Sequence, residues 1–319
     1  MYELVRESAG RVLEKARYIC LNRQKLADFA ATIDPREIQK RYTYEDDFHL
    51  LETAHNPELQ LDYVMTVDAI NFGSGFSPLW KAQFPRQQSL YMTVASGLKR
   101  YVEQGGKLDA SFAASVTPTR LAELFGVSVD FPLMAMFAES LNQLGNWVMA
   151  EYGGSYAGLL NRLTGEKPAA ELIGLLAQKL SCFDDSALYH GEKVYFLKRA
   201  QILANDLYLA FEGKGYGRFP DIAHLTMFAD NLVPHVFRIE GALEYDHDLL
   251  ARIEKGEALE AGSLEEIEIR AAGIVCVEEV TNLLGNGLFP AMVDVYLWHL
   301  GQAARYKSYL RHLTRTYFY

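Results

Sequence analysis

"KRAQILANDLYLAFEGKGYG" runs from Lys198 to Gly217, and its reading decides the fold class. Ala200, Leu203, Leu207 and Ala210 recur three or four positions apart, so one face of a helix is apolar. Gly213, Gly215 and Gly217 follow. A dinucleotide loop carries G-x-G-x-x-G and follows a strand, because its turn must lead from a sheet to a helix N-terminus. Here the glycines follow a helix, in another register, and Walker spacing is absent. The stretch reads as a helix stopped at Gly213 and then a turn. The alternative is a hairpin that offers backbone N–H groups to a phosphate.

The same helical logic extends outward. "ESAGRVLEKARYICL" sets Val12, Leu13, Ala16, Ile19 and Cys20 on one face. "TPTRLAELFG" opens with cap chemistry and stops at Gly126. "FPLMAMFAESLNQLGNWVMAEYGGS" spaces Leu133, Met136, Phe137, Leu141, Leu144, Val148 and Met149 helically before Gly153 and Gly154. "PAAELIGLLAQKLSCF" behaves alike. "SLEEIEIRAAGIVCVEEVTNLLG" opens as a capping box of Ser263 and Glu266, and "PAMVDVYLWHLGQAARYKSYLRHL" reads as helix too. Strand signals are few: "LDYVMTVDAINF" is the best, and "EKVYFLKRA" begins extended. The expected fold is mainly α with minor β, in one domain over 1–319. Lobes 1–152 and 153–319 would meet near Gly153.

The chain of 319 residues can bury a sizeable core. Its net charge of -10 and lack of a basic run disfavour grip on a long polyanion, whereas a ligand with one phosphate is compatible. No apolar run reaches the roughly 18 residues of a membrane span. "MYELVRESAGRVLEKARYI" is amphipathic and unlike a signal peptide. Cys20, Cys182 and Cys276 are odd in number and scattered, which fits a reducing cytoplasm. H-E-x-x-H, paired C-x-x-C and G-x-S-x-G are missing, so metal-dependent hydrolysis and serine acyl transfer have no motif support. No cofactor or metal is expected.

Several polar residues interrupt apolar runs. Asp230, in "LTMFADNLVPHVF", is either an N-cap of the next helix or a desolvated carboxylate poised to stabilise a cation. Asp294, in "FPAMVDVYLWHL", is costly unless paired or facing a cavity. His299 lies about 140° around the helix from Asp294, so the two share no face. "YTYEDDFHLLETAHNP" puts His49 and His55 near three acids, as a solvated helix start or as a donor to a ligand. "VDAINFGSGFSPLW" holds Asp68, Asn71, Phe72, Ser74 and Trp80 in a loop that suits a flat heterocycle or simply anchors the core.

Together "YFLKRAQILANDLYLAFEGKGYGRFPDIAHLTMFADNLVPHVF", "EIEIRAAGIVCVEEV" and "VDVYLWHLG" resemble the queuosine salvage proteins, the queuosine-5'-phosphate N-glycosylases. The order of "KRAQIL", "FEGKG", "TMFAD" and "EIR" is specific, and "RESAGRVLEKA" and "VDAINF" extend the likeness over nearly the whole chain. The resemblance implies a helical fold similar to helix-hairpin-helix DNA glycosylases. It implies hydrolysis of the N-glycosidic bond of queuosine 5'-phosphate, releasing queuine for tRNA modification. It makes Asp230 the catalytic acid, Phe228 an aromatic contact to the base, and Asp294 with its neighbour Val295 base-binding. His49 matches a ligand-contacting histidine, with His55 as competitor. His299 departs from the pattern, which has an aspartate there. Phe72 and Lys198 complete the expected substrate contacts.

The residue types fit that chemistry. A 7-deazaguanine cannot be protonated at position 7, so more of the barrier must fall on the sugar side. The oxocarbenium-like transition state calls for a preorganised carboxylate in a water-poor site. The ligand's secondary amine is cationic and suits Asp294; Lys198 or Arg199 suits the 5'-phosphate. The expected partners are small molecules, with no direct nucleic-acid or membrane contact, for a monomer. Competing readings are a glycosylase for another nucleoside, a non-catalytic queuine or nucleotide binder, and a helical scaffold.

Overall fold

A computed structural model describes residues 1–44, 47–52 and 55–319. Glu45 and Asp46, two of the acids noted beside His49, lie outside the described residues, as do Thr53 and Ala54. The chain opens with α1 (Tyr2–Lys15), α2 (Arg23–Ala30), α3 (Pro35–Arg41) and α4 (Pro57–Ala69). Asn22, Asp34 and Asn56 cap the last three by accepting first-turn N–H groups, and Pro35 and Pro57 supply the preset first φ. Next come α5 (Ser77–Gln83), α6 (Leu90–Glu103), α7 (Ala110–Ser115), α8 (Pro118–Phe125) and α9 (Pro132–Tyr152). Then follow α10 (Tyr156–Leu160), α11 (Pro168–Lys179), α12 (Lys198–Ala210), α13 (Val233–Ile239) and α14 (His247–Glu254). The last helices are α15 (Leu264–Leu284), α16 (Pro290–Leu300) and α17 (Ala304–Lys307). Strands β1 (Ile19–Leu21), β2 (Ser186–Tyr189), β3 (Glu192–Tyr195) and β4 (Leu243–Tyr245) form two antiparallel pairs, β1 with β4 and β2 with β3. The fold is mainly α.

Two expectations change. The strand-like run from Leu61 is the body of α4, followed by the loop to Phe72. Leu61, Tyr63, Val64, Met65, Val67 and Ala69 are all buried, so the helix has almost no polar face to betray its period. The first helix also stops sooner than its stripe suggests. Ile19 and Cys20 belong to β1, in register with Tyr245 and Glu244.

Two helices run through the core. α12 packs on α4 and α11; α15 packs on α1, α13 and α16. Gly213 lies at φ +69, the left-handed turn expected after α12. In the turn, the N–H of Gly213 donates to Tyr208 O (2.8 Å) and that of Gly217 to Lys214 O (2.8 Å), so both are spent inside the turn. Ser263 does cap α15 by accepting Glu266 N–H, but the Glu266 carboxylate takes the N–H of Gly262 and the guanidinium of Arg270.

Candidate active site

Asp230 closes the irregular stretch before α13 and is only 8% exposed. Its Oδ1 accepts the backbone N–H of Leu232 (2.9 Å) and of Val233 (3.1 Å). The carboxylate thus ties down the entry to α13, whose N-cap position is Leu232 and not the expected Asp230. Oδ2 takes no hydrogen bond from the described residues.

Asp294 lies mid-way along α16, buried, and its Oδ1 accepts the N–H of Phe228 (3.1 Å). Burial, then the charge on Asp230, pushes Asp294 well above the usual carboxylate range; Phe228 N–H and Lys198 pull the other way. An empty site thus favours neutral Asp294, and a ligand cation favours its ionised form. The half-buried Val295 follows on the helix, and His299 is half-buried against the Trp298 ring.

Lys198 opens α12. Its N–H donates to Asp185 Oδ2 (3.1 Å), while its buried ammonium has no ion-pair partner among the described residues. Burial lowers the Lys198 pKa, and the carboxylates of Asp230, Asp294 and Asp185 oppose that. Arg199, the other phosphate candidate, is drawn into the core. It donates to Ala69 O, Ser140 Oγ and Cys182 O and lies over the rings of Phe72 and Phe183. Phe72 is buried, edge-on to Phe137, with that guanidinium 4.7 Å from its ring centre. Its ring braces Arg199 and α9. Trp80 is a core anchor, donating through its indole N–H to Gln88 O.

His49 is buried between two tyrosines. Tyr44 OH lies 3.3 Å from its Nδ1 and Tyr91 OH 2.9 Å from its Nε2. Burial, helped by the Lys99 charge, pulls the imidazole down to about 3, so it is neutral near pH 7. The competitor His55 is exposed. Nearby Asp68 takes an N–H of the Asn71 amide on Oδ1 (3.3 Å), and its buried Oδ2 is unpartnered. Burial and the Asp206 charge push Asp68 well above the usual range, while Lys198 lowers it. Lys198 thus stands in the fields of Asp230, Asp294 and Asp68.

Sequence reasoning missed Tyr44, Tyr91 and, above all, Arg270 of the "EIR" motif. Arg270 Nε donates to Ala229 O (3.0 Å), Nη2 to Asp185 Oδ2 (2.7 Å) and Nη1 to Glu266 Oε1 (3.3 Å). One guanidinium thereby fixes the residue before Asp230 and, through Asp185, the start of α12. The available signal was Glu266 and Arg270, four apart, in the stretch of α15 that the apolar residues around them mark as buried. A groove of about 230 Å³ beside Leu160, Tyr216 and Arg218 shares none of these residues. Among the described residues no cluster of three or more His, Cys, Asp or Glu could hold a metal ion.

Residues 51–319 match the family model described as "Queuosine salvage protein". A protein of Sphaerobacter thermophilus named "Queuosine 5'-phosphate N-glycosylase/hydrolase" is 34% identical, over 97% of this chain and 95% of its own. Proteins of the same name from Mus musculus and Nematostella vectensis are 29% and 27% identical. The first match covers 98% of both chains; the second covers 99% of this chain and 98% of the relative.

Proposed function

The chain belongs to the queuosine salvage protein family, and from that premise we propose that it hydrolyses the N-glycosidic bond of queuosine 5'-phosphate. The bond between the anomeric carbon and the base nitrogen breaks, and its electron pair leaves with the base. Water adds to the anomeric carbon. One of its protons ends on queuine, and its hydroxyl completes ribose 5-phosphate.

The observation that carries the residue assignment is the bracketing of Phe228 by two buried acids. Asp294 holds Phe228's own N–H, and Asp230 follows two residues later. In this reading Phe228 lies against the base, with Asp294 and Val295 at its edge. The free oxygen of Asp230 faces the sugar carbon that becomes positive. Fixing Oδ1 on two backbone N–H groups preorganises the carboxylate, so little reorientation is needed as charge develops. His49, held neutral between Tyr44 and Tyr91, offers hydrogen bonding without adding charge. Phe72 acts from behind, through Arg199 and α9. Asp294 ionises when the ligand's ammonium approaches, which removes the cost of its buried proton-free form.

Incubating the purified protein with queuosine 5'-phosphate and, separately, queuosine, with queuine followed by mass spectrometry, tests this function. Release from the phosphate is expected. Binding of queuine with no release from either compound would replace the enzyme by a carrier.

A further inference from the structure

The groove between the end of α10 and the turn after α12 takes no part in the proposed reaction. It measures about 230 Å³. Leu160, Leu163, Pro168 and Phe219 give it apolar walls, while Asn161, Tyr216 and Arg218 add an amide, a phenol and a guanidinium. No acid is among its lining residues. The chain has 41 acidic and 31 basic residues, so carboxylates to answer a cation are plentiful. Three cations beside the groove are indeed answered. Lys167 pairs with Glu3 and Lys214 with Glu212, and Arg162 lies over the Tyr152 ring. The exposed guanidinium of Arg218 has no ion pair, hydrogen bond or ring contact among the described residues.

The turn itself supplies the second observation. Besides Gly213 and Gly217, the N–H of Lys214 is spent on Phe211 O (2.9 Å) and that of Arg218 on Gly215 O (3.2 Å). The N–H groups of Gly215 and Tyr216, in succession between them, have no acceptor among the described residues. Both residues line the groove. Gly215 lies at φ +51, and nothing stands within 4 Å of the place a Cβ would take, so a ligand can approach the backbone there. Successive free N–H groups at a left-handed turn form a concavity for an anion. The N-terminus of α11, which also borders the groove, is already closed. Asp221 accepts the N–H of Ala169 (3.1 Å) and of Ala170 (3.0 Å).

We propose that this groove is a second binding site, for a small oxyanion carried on an apolar body. The oxyanion, a phosphate or a carboxylate, meets the Arg218 guanidinium and the N–H groups of Gly215 and Tyr216. The body lies on Leu160, Leu163, Pro168 and Phe219. A guanidinium fork matches either oxyanion through two parallel hydrogen bonds. The volume is below the roughly 300–1,000 Å³ of drug-sized pockets, so the ligand is small. The site shares no residue with the one around Asp230 and does not depend on the reaction proposed above. It gives a use to "FEGKGYGRF", the stretch from Phe211 to Phe219 that the reaction leaves idle. Once occupied, it ties the turn that ends α12 to the connection between α10 and α11.

The test is amide NMR of the isotope-labelled full chain, wild type and Arg218→Gln, titrated with phenyl phosphate, benzoate, inorganic phosphate and benzyl alcohol. The Gly215 and Tyr216 amide resonances should move and saturate with phenyl phosphate or benzoate. The tighter of these two probes identifies the oxyanion that the site takes. Loss of one charge-assisted contact should raise the dissociation constant about tenfold in Arg218→Gln. Unmoved amides, an unchanged constant in the variant, or equal binding of benzyl alcohol would overturn the site. Inorganic phosphate bound as tightly as phenyl phosphate would mean an adventitious ion only, and would overturn it too. Both reporters lie in the turn, so binding near Asp230 does not register as success. No turnover is measured, so the outcome stands whether or not the protein releases queuine.

Discussion

Asp230 has one carboxylate oxygen tied to backbone N–H groups and, in the function proposed above, the other turned to the sugar, and the division explains why its local sequence was ambiguous. An Asp before an apolar run reads as a helix cap, and Oδ1 does accept the N–H groups of Leu232 and Val233, although the N-cap position of α13 is Leu232. The proposed reaction uses the other oxygen, and only its buried surroundings mark it. Asp230 and Asp294 stood out because a charge inside an apolar run has to be explained, and both are buried. The stretch around Arg311 gave no such signal, since nothing in "YLRHLTRT" shows that it lies against Asn231, some eighty positions earlier. Its neighbour His312 is also buried, its Nε2 3.3 Å from Tyr319 OH. Burial, with Arg270 and Arg311 adding, pulls its imidazole down to about 3. A depressed histidine gives stability that is full above the unfolded pKa of about 6.5 and is lost as pH falls below it, towards the folded value. His312→Gln removes this penalty. Between pH 7 and pH 5 the wild type should lose about 2 kcal/mol relative to the variant. Urea unfolding at the two pH values measures the difference; equal shifts would show that His312 is charged in the fold.

At the scale of elements, caps and stops were readable because their chemistry is local. Thr117 caps α8 and Gly126 ends it, as the sequence indicates. What failed was periodicity in buried helices. α4 has apolar neighbours on nearly all sides, so its run looked like a strand. The outward residues of α9 erred oppositely: Met149, counted in the apolar stripe, is 46% exposed. Close helix contacts were also hidden. At Gly145 of α9 an added Cβ would lie 2.2 Å from Ala114 N and 2.7 Å from Ala110 O, both on α7. Gly145→Ala must push α7 off α9 and should cost about 2–3 kcal/mol. At Gly10 of α1 nothing lies within 4 Å. Gly10→Ala should therefore stabilise by about 0.5–1 kcal/mol through helix propensity. Thermal unfolding of the two variants reads both signs; a neutral Gly145→Ala would refute the packing argument.

At the scale of the whole molecule, contacts cross the boundary near Gly153 at many points. α4 packs on α12, and α1 packs on α15 and β3. Arg199 reaches Ala69 and Ser140, and Gly73 N–H donates to Tyr319 O (3.1 Å). We propose that the chain unfolds as one unit. Calorimetry should give one transition with equal calorimetric and van't Hoff enthalpies; two transitions would separate the lobes. The net charge of -10 belongs to this scale too. A strongly acidic balance disfavours grip on a long polyanion, whose phosphates call for a basic face. No helix among the described residues is long and apolar enough to cross a membrane.

If the free oxygen of Asp230 stabilises the developing sugar cation, Asp230→Asn under single-turnover conditions will show it. Asparagine keeps an Oδ1 that can accept the N–H groups of Leu232 and Val233, so that tie and the fold are retained while the charge is lost. Queuine release from queuosine 5'-phosphate should slow by at least about 10³-fold, roughly 4 kcal/mol, with queuine still bound within a few-fold of the wild-type affinity. A folded Asp230→Asn protein that releases queuine within about tenfold of the wild-type rate would remove Asp230 from the chemistry and leave it as a structural tie at the entry to α13.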